Sequence, residues 1–181
     1  RSWIEQLANA APPRKFRSPA DQLAEQDRKA LEPVQKAFRQ LTRTFKASLP
    51  FLVAHLKDHR FSYPSEHPTS GVYQNQTVGD ACHAIIQGKL LLTNLAFIDS
   101  RDIGVWVEIP FDKAWFVRVS EMSLYEMQVD ALDLLLKHSK FERVSQEQWD
   151  AGLEGVRTFR KDFVQKGIAV DREFGPTIEG K

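Results

Sequence analysis

Between residues 34 and 56 the apolar side chains Val34, Phe38, Leu41, Phe45, Leu49, Leu52 and Leu56 recur at alternating steps of four and three, which draws one stripe on a helical surface. Ser18 before Pro19 has the form of an N-cap followed by proline in the first helical position, where a missing N–H is not needed. Pro33 is tolerated best in another first turn. The spacing therefore predicts a helix over 19–31, a second over 33–47, and a short third running from Pro50 to about residue 59.

Tyr63-Pro64, His67-Pro68, Ser70-Gly71 and Gly79-Asp80 punctuate residues 60–80 and predict a loop and a change of architecture. From residue 72 onward the pattern becomes β-like. Val105, Val107 and Ile109 alternate with Trp106 and Glu108, and Trp115, Val117 and Val119 alternate with Phe116 and Arg118, so a hairpin is expected across Phe111-Asp112-Lys113. In that hairpin Trp106 faces Arg118 and Glu108 faces Phe116. Ala81–Gln87 and Lys89–Asp99, hinged at Gly88, read as two more strands, with Val72–Val78 as a fifth; Ala81–Ile98 reads equally as a helix capped by Asp80.

Two helices follow. Ser123 or Ser120 caps a segment to Ser139 whose rows Leu124, Met127, Ala131, Leu135 and Tyr125, Val129, Leu132, Leu136 predict burial over half the circumference. Ser145 with Gln148 has the form of a capping box, and Trp149, Leu153, Val156, Phe159 and Phe163 mark the inward face of a helix ending at Gly167. Gly152 and Gly155 each cost about 1 kcal/mol in a helix relative to alanine, which suggests close approach to another backbone. Residues 168–181 read as an extended tail.

The expected fold is α+β: an N-terminal helical arm, a central antiparallel β-meander of three to five strands, and two C-terminal helices packed on one sheet face. Residues 1–17 form a basic linker or arm, 18–60 the helical region and 61–181 the α+β body, with 18–181 as one domain.

A chain of 181 residues with 42% hydrophobic and 27% charged side chains can bury its own core, which excludes wholesale disorder. The formal net charge of +1 conceals a segregation: residues 1–60 carry 12 Lys and Arg against 6 Asp and Glu, whereas 61–181 carry 13 against 18. Lys36, Arg39, Arg43 and Lys46 repeat at helical steps beside the apolar stripe, and Arg14, Lys15, Arg17, Lys57 and Arg60 add to the basic set. Such a stripe suits phosphates, an acidic protein surface, anionic lipid, or the chain's own acidic half, in the same molecule or in a homo-oligomer.

The single cysteine, Cys82, precludes an intrachain disulfide and points to a reducing compartment, the cytoplasm. No apolar run approaches a membrane span of about 18 residues, and residues 1–11 lack the order of a signal peptide.

His55 and His59, at i and i+4, together with His67 and His83, form the candidate metal set. The residues between the first pair are Leu56, Lys57 and Asp58, so the glutamate base of a zinc metalloprotease helix is missing, and Lys57 and Arg60 oppose a cation. Cys82 and His83 are adjacent and not a dyad, because an activated thiol needs its base within hydrogen-bond reach. No Gly-x-Ser-x-Gly elbow, phosphate loop or dinucleotide fingerprint occurs, and no cofactor is expected.

These observations point to a non-enzymatic binding or regulatory module that meets a macromolecular partner through Lys36, Arg39, Arg43 and Lys46, with Trp106 and Arg118 as a second recognition surface. A nucleic-acid-binding protein using the same stripe and a metal-dependent enzyme with a histidine-rich site are the alternatives.

Overall fold

The computed structural model describes residues 2–10, 25–66, 73–91, 111–138 and 145–171. Among them are seven helices and one two-stranded antiparallel sheet: α1 (Trp3–Gln6), α2 (Glu25–Arg43), α3 (Phe45–Ala54), β1 (Phe61–Glu66), β2 (Tyr73–Thr77), α4 (Val78–Leu90), α5 (Lys113–Val119), α6 (Leu124–His138) and α7 (Gln146–Lys166). The described residues divide into two compact units, 2–86 and 87–171, with the boundary inside α4. This mostly helical architecture overturns the expected meander of three to five strands.

In the first unit α2 is a single helix through Pro33, not two helices meeting there. Proline in a helix interior costs about 3 kcal/mol, but Leu31, Val34, Phe38 and Leu41 are all buried along one side, and each such side chain contributes about 1.5–3 kcal/mol. Continuous burial across the proline decides the outcome. Pro33 and Lys29 are both exposed, so the proline, which has no N–H to offer the Lys29 carbonyl, stands on the solvent side of the helix.

Thr44 separates α2 from α3 while the hydrogen bonding runs through it: Thr44 N–H donates to the Gln40 carbonyl at 2.9 Å and Ser48 N–H to the Thr44 carbonyl at 2.9 Å. Pro50 lies inside α3 and does not start a helix of its own. Phe45, Leu49 and Leu52 are buried, continuing the apolar row of α2.

Residues 61–66, expected as loop, form β1, and it pairs with β2 inside the Val72–Val78 segment read as a fifth strand: Phe61 lies opposite Thr77 and Glu66 opposite Tyr73, with an irregularity between Phe61 and Tyr63. The ribbon is tied to α1 and its following turn by Asn9 N–H to the Phe61 carbonyl (2.9 Å) and Ser62 Oγ to the Leu7 carbonyl (2.6 Å). Tyr63 packs edge-on against Phe38 of α2 at 6.3 Å. β2 leads directly into α4 through a reciprocal cap: Asp80 accepts from Thr77 N–H at 2.8 Å, and Thr77 Oγ1 accepts from Asp80 N–H at 3.1 Å. Residues 78–90 are thus the helical one of the two readings, and Thr77, not Asp80, occupies the cap.

In the second unit the segment expected as the return strand of a hairpin is α5. Asp112 caps it, accepting from Trp115 N–H at 2.8 Å. Trp115 and Val119, four apart, are buried, while Val117 between them is 65% exposed. Five residues with apolar groups at every second position also satisfy an i, i+4 pair, and the aspartate cap resolves the ambiguity toward helix. The segment expected as the opposing strand, with Val105, Trp106, Val107, Glu108 and Ile109, lies outside the described residues.

α6 begins at a complete capping box, with Ser123 N–H donating to Glu126 Oε2 (2.7 Å) and Glu126 N–H to Ser123 Oγ (3.3 Å). Met127, Ala131, Leu132 and Leu135 are buried. α7 runs antiparallel to it: Tyr125 stacks on Phe163 at 5.3 Å, and Asp133 meets Arg160. The helix ends at Gly167, whose φ of +64° is the left-handed conformation that glycine adopts without strain. Among the described residues, apart from its chain neighbours and its own helix backbone, nothing comes within 4 Å of a Cβ placed on Gly152, so the close approach expected there is absent.

Candidate functional site

α2 is amphipathic. Its buried side belongs to the core of the first unit, and its opposite side presents Lys29, Glu32, Lys36, Arg39 and Arg43 to solvent at steps of three and four. Lys46 is exposed on α3, past Thr44. The structure therefore keeps Lys36, Arg39 and Arg43 on one helical ridge and carries Lys46 on the next helix. The Lys36 ammonium lies 5.9 Å from the centre of the Trp3 ring, a cation–π contact that joins α1 to α2.

α3 differs from α2 in being apolar on two sides. Phe45, Leu49 and Leu52 face the core, while Ala47, Pro50, Phe51 and Ala54 are exposed at i, i+3, i+4 and i+7. Phe51 is 59% exposed. On the helical wheel Lys46 stands at one edge of this strip and Phe51 at the other. Sequence reasoning that followed only the buried row passed over the second series, although its spacing was there to be read.

Arg60 takes no part in an outward basic patch. Its guanidinium joins Glu5 Oε2 at 2.8 Å and Asp58 Oδ2 at 2.6 Å. Hydrogen bonding to Arg60 holds both carboxyls below their usual range, and the same bonds raise the arginine. Nothing local in the sequence pairs residue 5 with residue 60.

Among the described residues the histidines do not assemble. α3 ends at Ala54, and His55 sits in its C-cap with Nδ1 2.9 Å from the Phe51 carbonyl. The following bonds, His55 N–H to Leu52 and Leu56 N–H to Val53, tighten into a three-residue step, so His59 is not one helical turn from His55 on a common face. His83 is half-buried on α4, and His67 lies outside the described residues. Among the described residues no group of three or more His, Cys, Asp or Glu side chains is placed to hold a metal ion.

Burial, with repulsion from Asp58, pushes the Cys82 thiol up to about 12. It is a protonated core side chain at neutral pH and a poor nucleophile.

Arg118 lies on α5, where its Nη2 donates to Asp130 Oδ2 at 2.9 Å; this pairing raises its pKa. Asp130 also accepts from Trp115 Nε1 at 3.1 Å. The expected partnership of Arg118 with Trp106 across a hairpin is overturned by the helical course of α5; Trp106 itself lies outside the described residues.

The second unit holds a cleft of about 400 Å³ lined by Asp133 and Leu136 of α6 and Arg157, Arg160, Lys161 and Val164 of α7. Arg160 is engaged by Asp133, and Arg157 donates to Glu154 at 3.1 Å.

No protein-family model, curated protein or solved structure matches the chain. Among the described residues no helix is long and apolar enough to cross a membrane.

The segregation of charge follows the structural division. Residues 1–86 carry 12 Lys and Arg against 8 Asp and Glu, and residues 87–171 carry 11 against 14. The basic excess is concentrated on α2 and α3, which makes their solvent face the candidate interaction surface.

Proposed function

We propose that this protein is a non-enzymatic binding module that engages an acidic protein surface through the outward cations of α2 and α3. The supporting observation is the exposure of Lys36, Arg39 and Arg43 along one side of a helix whose other side is core, with Lys46 exposed on α3. The buried side sets the rotation of α2, so the cations are presented on a rigid element and little ordering is required on binding. Arginine forks suit carboxylates in paired geometry, and complementary charge speeds encounter as well as selecting the partner. Glu32 lies within the same ridge. A ladder of phosphates repels it, whereas a protein surface of mixed charge accommodates it, which favours protein over nucleic acid.

Fluorescence anisotropy with poly-L-glutamate, single-stranded RNA and duplex DNA tests the reading on wild type and on the combined variant Arg39→Glu, Arg43→Glu, Lys46→Glu. Lys36 is spared because of its contact with Trp3. The expected result is salt-sensitive binding of polyglutamate that weakens from about 50 to about 200 mM salt and disappears in the variant. Tighter binding of either nucleic acid under the same conditions replaces the acidic-protein reading with the nucleic-acid one. Polyglutamate binding that is absent, or unchanged in the variant, removes the proposal.

A further inference from the structure

The second apolar side of α3 makes the partner more specific than an acidic surface. Isolated apolar residues on a surface need no explanation. Ala47, Pro50, Phe51 and Ala54 are four neighbours at i, i+3, i+4 and i+7, all exposed, on a helix whose other side is already core. The same strip is bounded by Lys46, and the exposed cations Arg39 and Arg43 precede it on α2.

Resting on the function proposed above, we infer that this face of α3 docks one amphipathic helix of a partner protein, its apolar side laid over Phe51 and its acidic edge set against Lys46 and the α2 ridge. Charge selects the sign of the partner's edge. The apolar strip selects its secondary structure, because apolar side chains spaced three and four apart match the exposed series of α3 turn for turn. Ten residues of α3 span about 15 Å, the length of between two and three turns of a partner helix.

A bilayer is the poorer occupant. Helices that lie on membranes insert bulky Trp, Phe and Leu side chains, whereas this strip offers Phe51 alone among Ala47, Pro50 and Ala54. The small side chains of Ala47, Pro50 and Ala54 admit close approach of a second helix.

A displayed library of random peptides of about 16 residues, selected on the full chain, tests the inference together with vesicles of phosphatidylserine and phosphatidylcholine. Phe51→Ser changes an exposed side chain, and circular dichroism confirms that the variant is folded. The expected result is enrichment of acidic peptides with apolar residues at i, i+3 or i+4 and i+7, bound about tenfold more weakly by Phe51→Ser. They are also lost on charge reversal at Arg39 and Lys46.

Acidic peptides bound equally by Phe51→Ser overturn the docking face and leave the acidic-surface reading standing. Peptides that depend on Phe51 but tolerate charge reversal overturn both. No enrichment, enrichment without helical periodicity, or vesicle binding that depends on Phe51 while peptides do not bind, overturns the helix as occupant.

Discussion

The side chain of Lys89, 1% exposed, ends on the carboxylate of Asp171, whose own side chain is 66% exposed. The pair joins α4 to the short segment after α7. Gln128 of α6 fastens the same segment, donating to the Val170 carbonyl at 2.7 Å and accepting from Val170 N–H at 3.1 Å, and it also donates to the Lys89 carbonyl at 2.8 Å. The end of the second unit is therefore held by one ion pair and one buried amide.

Replacing Asp171 by Asn leaves a buried ammonium without its counter-charge. Asp171→Asn is expected to lower stability by about 1–3 kcal/mol, whereas Lys89→Met, which removes the charge and keeps the volume, stays within about 1 kcal/mol of wild type. Urea unfolding at neutral pH gives both values. A larger loss for Lys89→Met than for Asp171→Asn contradicts the argument.

Gln128→Met keeps the length of the side chain and strands two carbonyls and one N–H. A loss of about 2–3 kcal/mol is expected. The Val170 amide is the sharper reporter, since its hydrogen exchange should quicken by more than the global loss of stability accounts for. Exchange at Val170 matching wild type, once corrected for global stability, speaks against a local role for Gln128.

Gly79 lies where β2 passes into α4. A Cβ there would stand 2.5 Å from the Leu56 carbonyl oxygen and 3.3 Å from that of Asp58, both backbone atoms, and Gly79 N–H donates to the Asp58 carbonyl at 2.9 Å. Gly79→Ala is expected to cost about 1–3 kcal/mol. Gly152→Ala, in open space on α7, should instead stabilise by up to about 1 kcal/mol. Thermal melts of the two variants moving in the same direction would refute the contrast.

Glu5 and Asp58 bind protons less readily in the folded chain than in the unfolded one, because Arg60 bonds their charged forms. Their contribution is present above the ordinary carboxylate range, about pH 4, and is lost as pH falls through the lowered folded values. The stability difference between wild type and Arg60→Gln should therefore be level from neutral pH to about pH 5 and shrink below about pH 4. Denaturant midpoints measured across that range decide it, and a difference that grows on acidification would reverse the sign.

Where a long amphipathic pattern coincides with a strong terminal signal, sequence and structure agree. Ser123, one of the two caps expected, opens α6, and Gly167 closes α7. The errors fall where two local rules compete. Pro33 argues for a boundary, yet the apolar row on either side of it is buried as one face. Residues 115–119 satisfy both a two-residue and a four-residue period, and the cap at Asp112 outweighs the alternation. Tyr63-Pro64 reads as punctuation, but Pro64 pairs with Asn75 in β1 of a two-stranded ribbon, where proline is tolerated at an edge.

The candidate surface is legible in part for the same kind of reason. Lys36, Arg39 and Arg43 are three and four apart, so one helix necessarily carries them together. Arg118 illustrates the opposite case. Its partner follows from whether residues 113–119 are strand or helix, and only as helix does it meet Asp130.

The sequence alone determined the charge segregation, which is a count along the chain, and the buried row of α2 and the Ser123 cap of α6, because these two depend on residues three or four apart. Tertiary structure decided which of the two apolar series of α3 is covered, that Arg60 reaches Glu5, and that Lys89 is buried against Asp171. Those outcomes depend on which surfaces the fold covers and on pairs separated by up to 82 positions in the chain, and no local spacing encodes them.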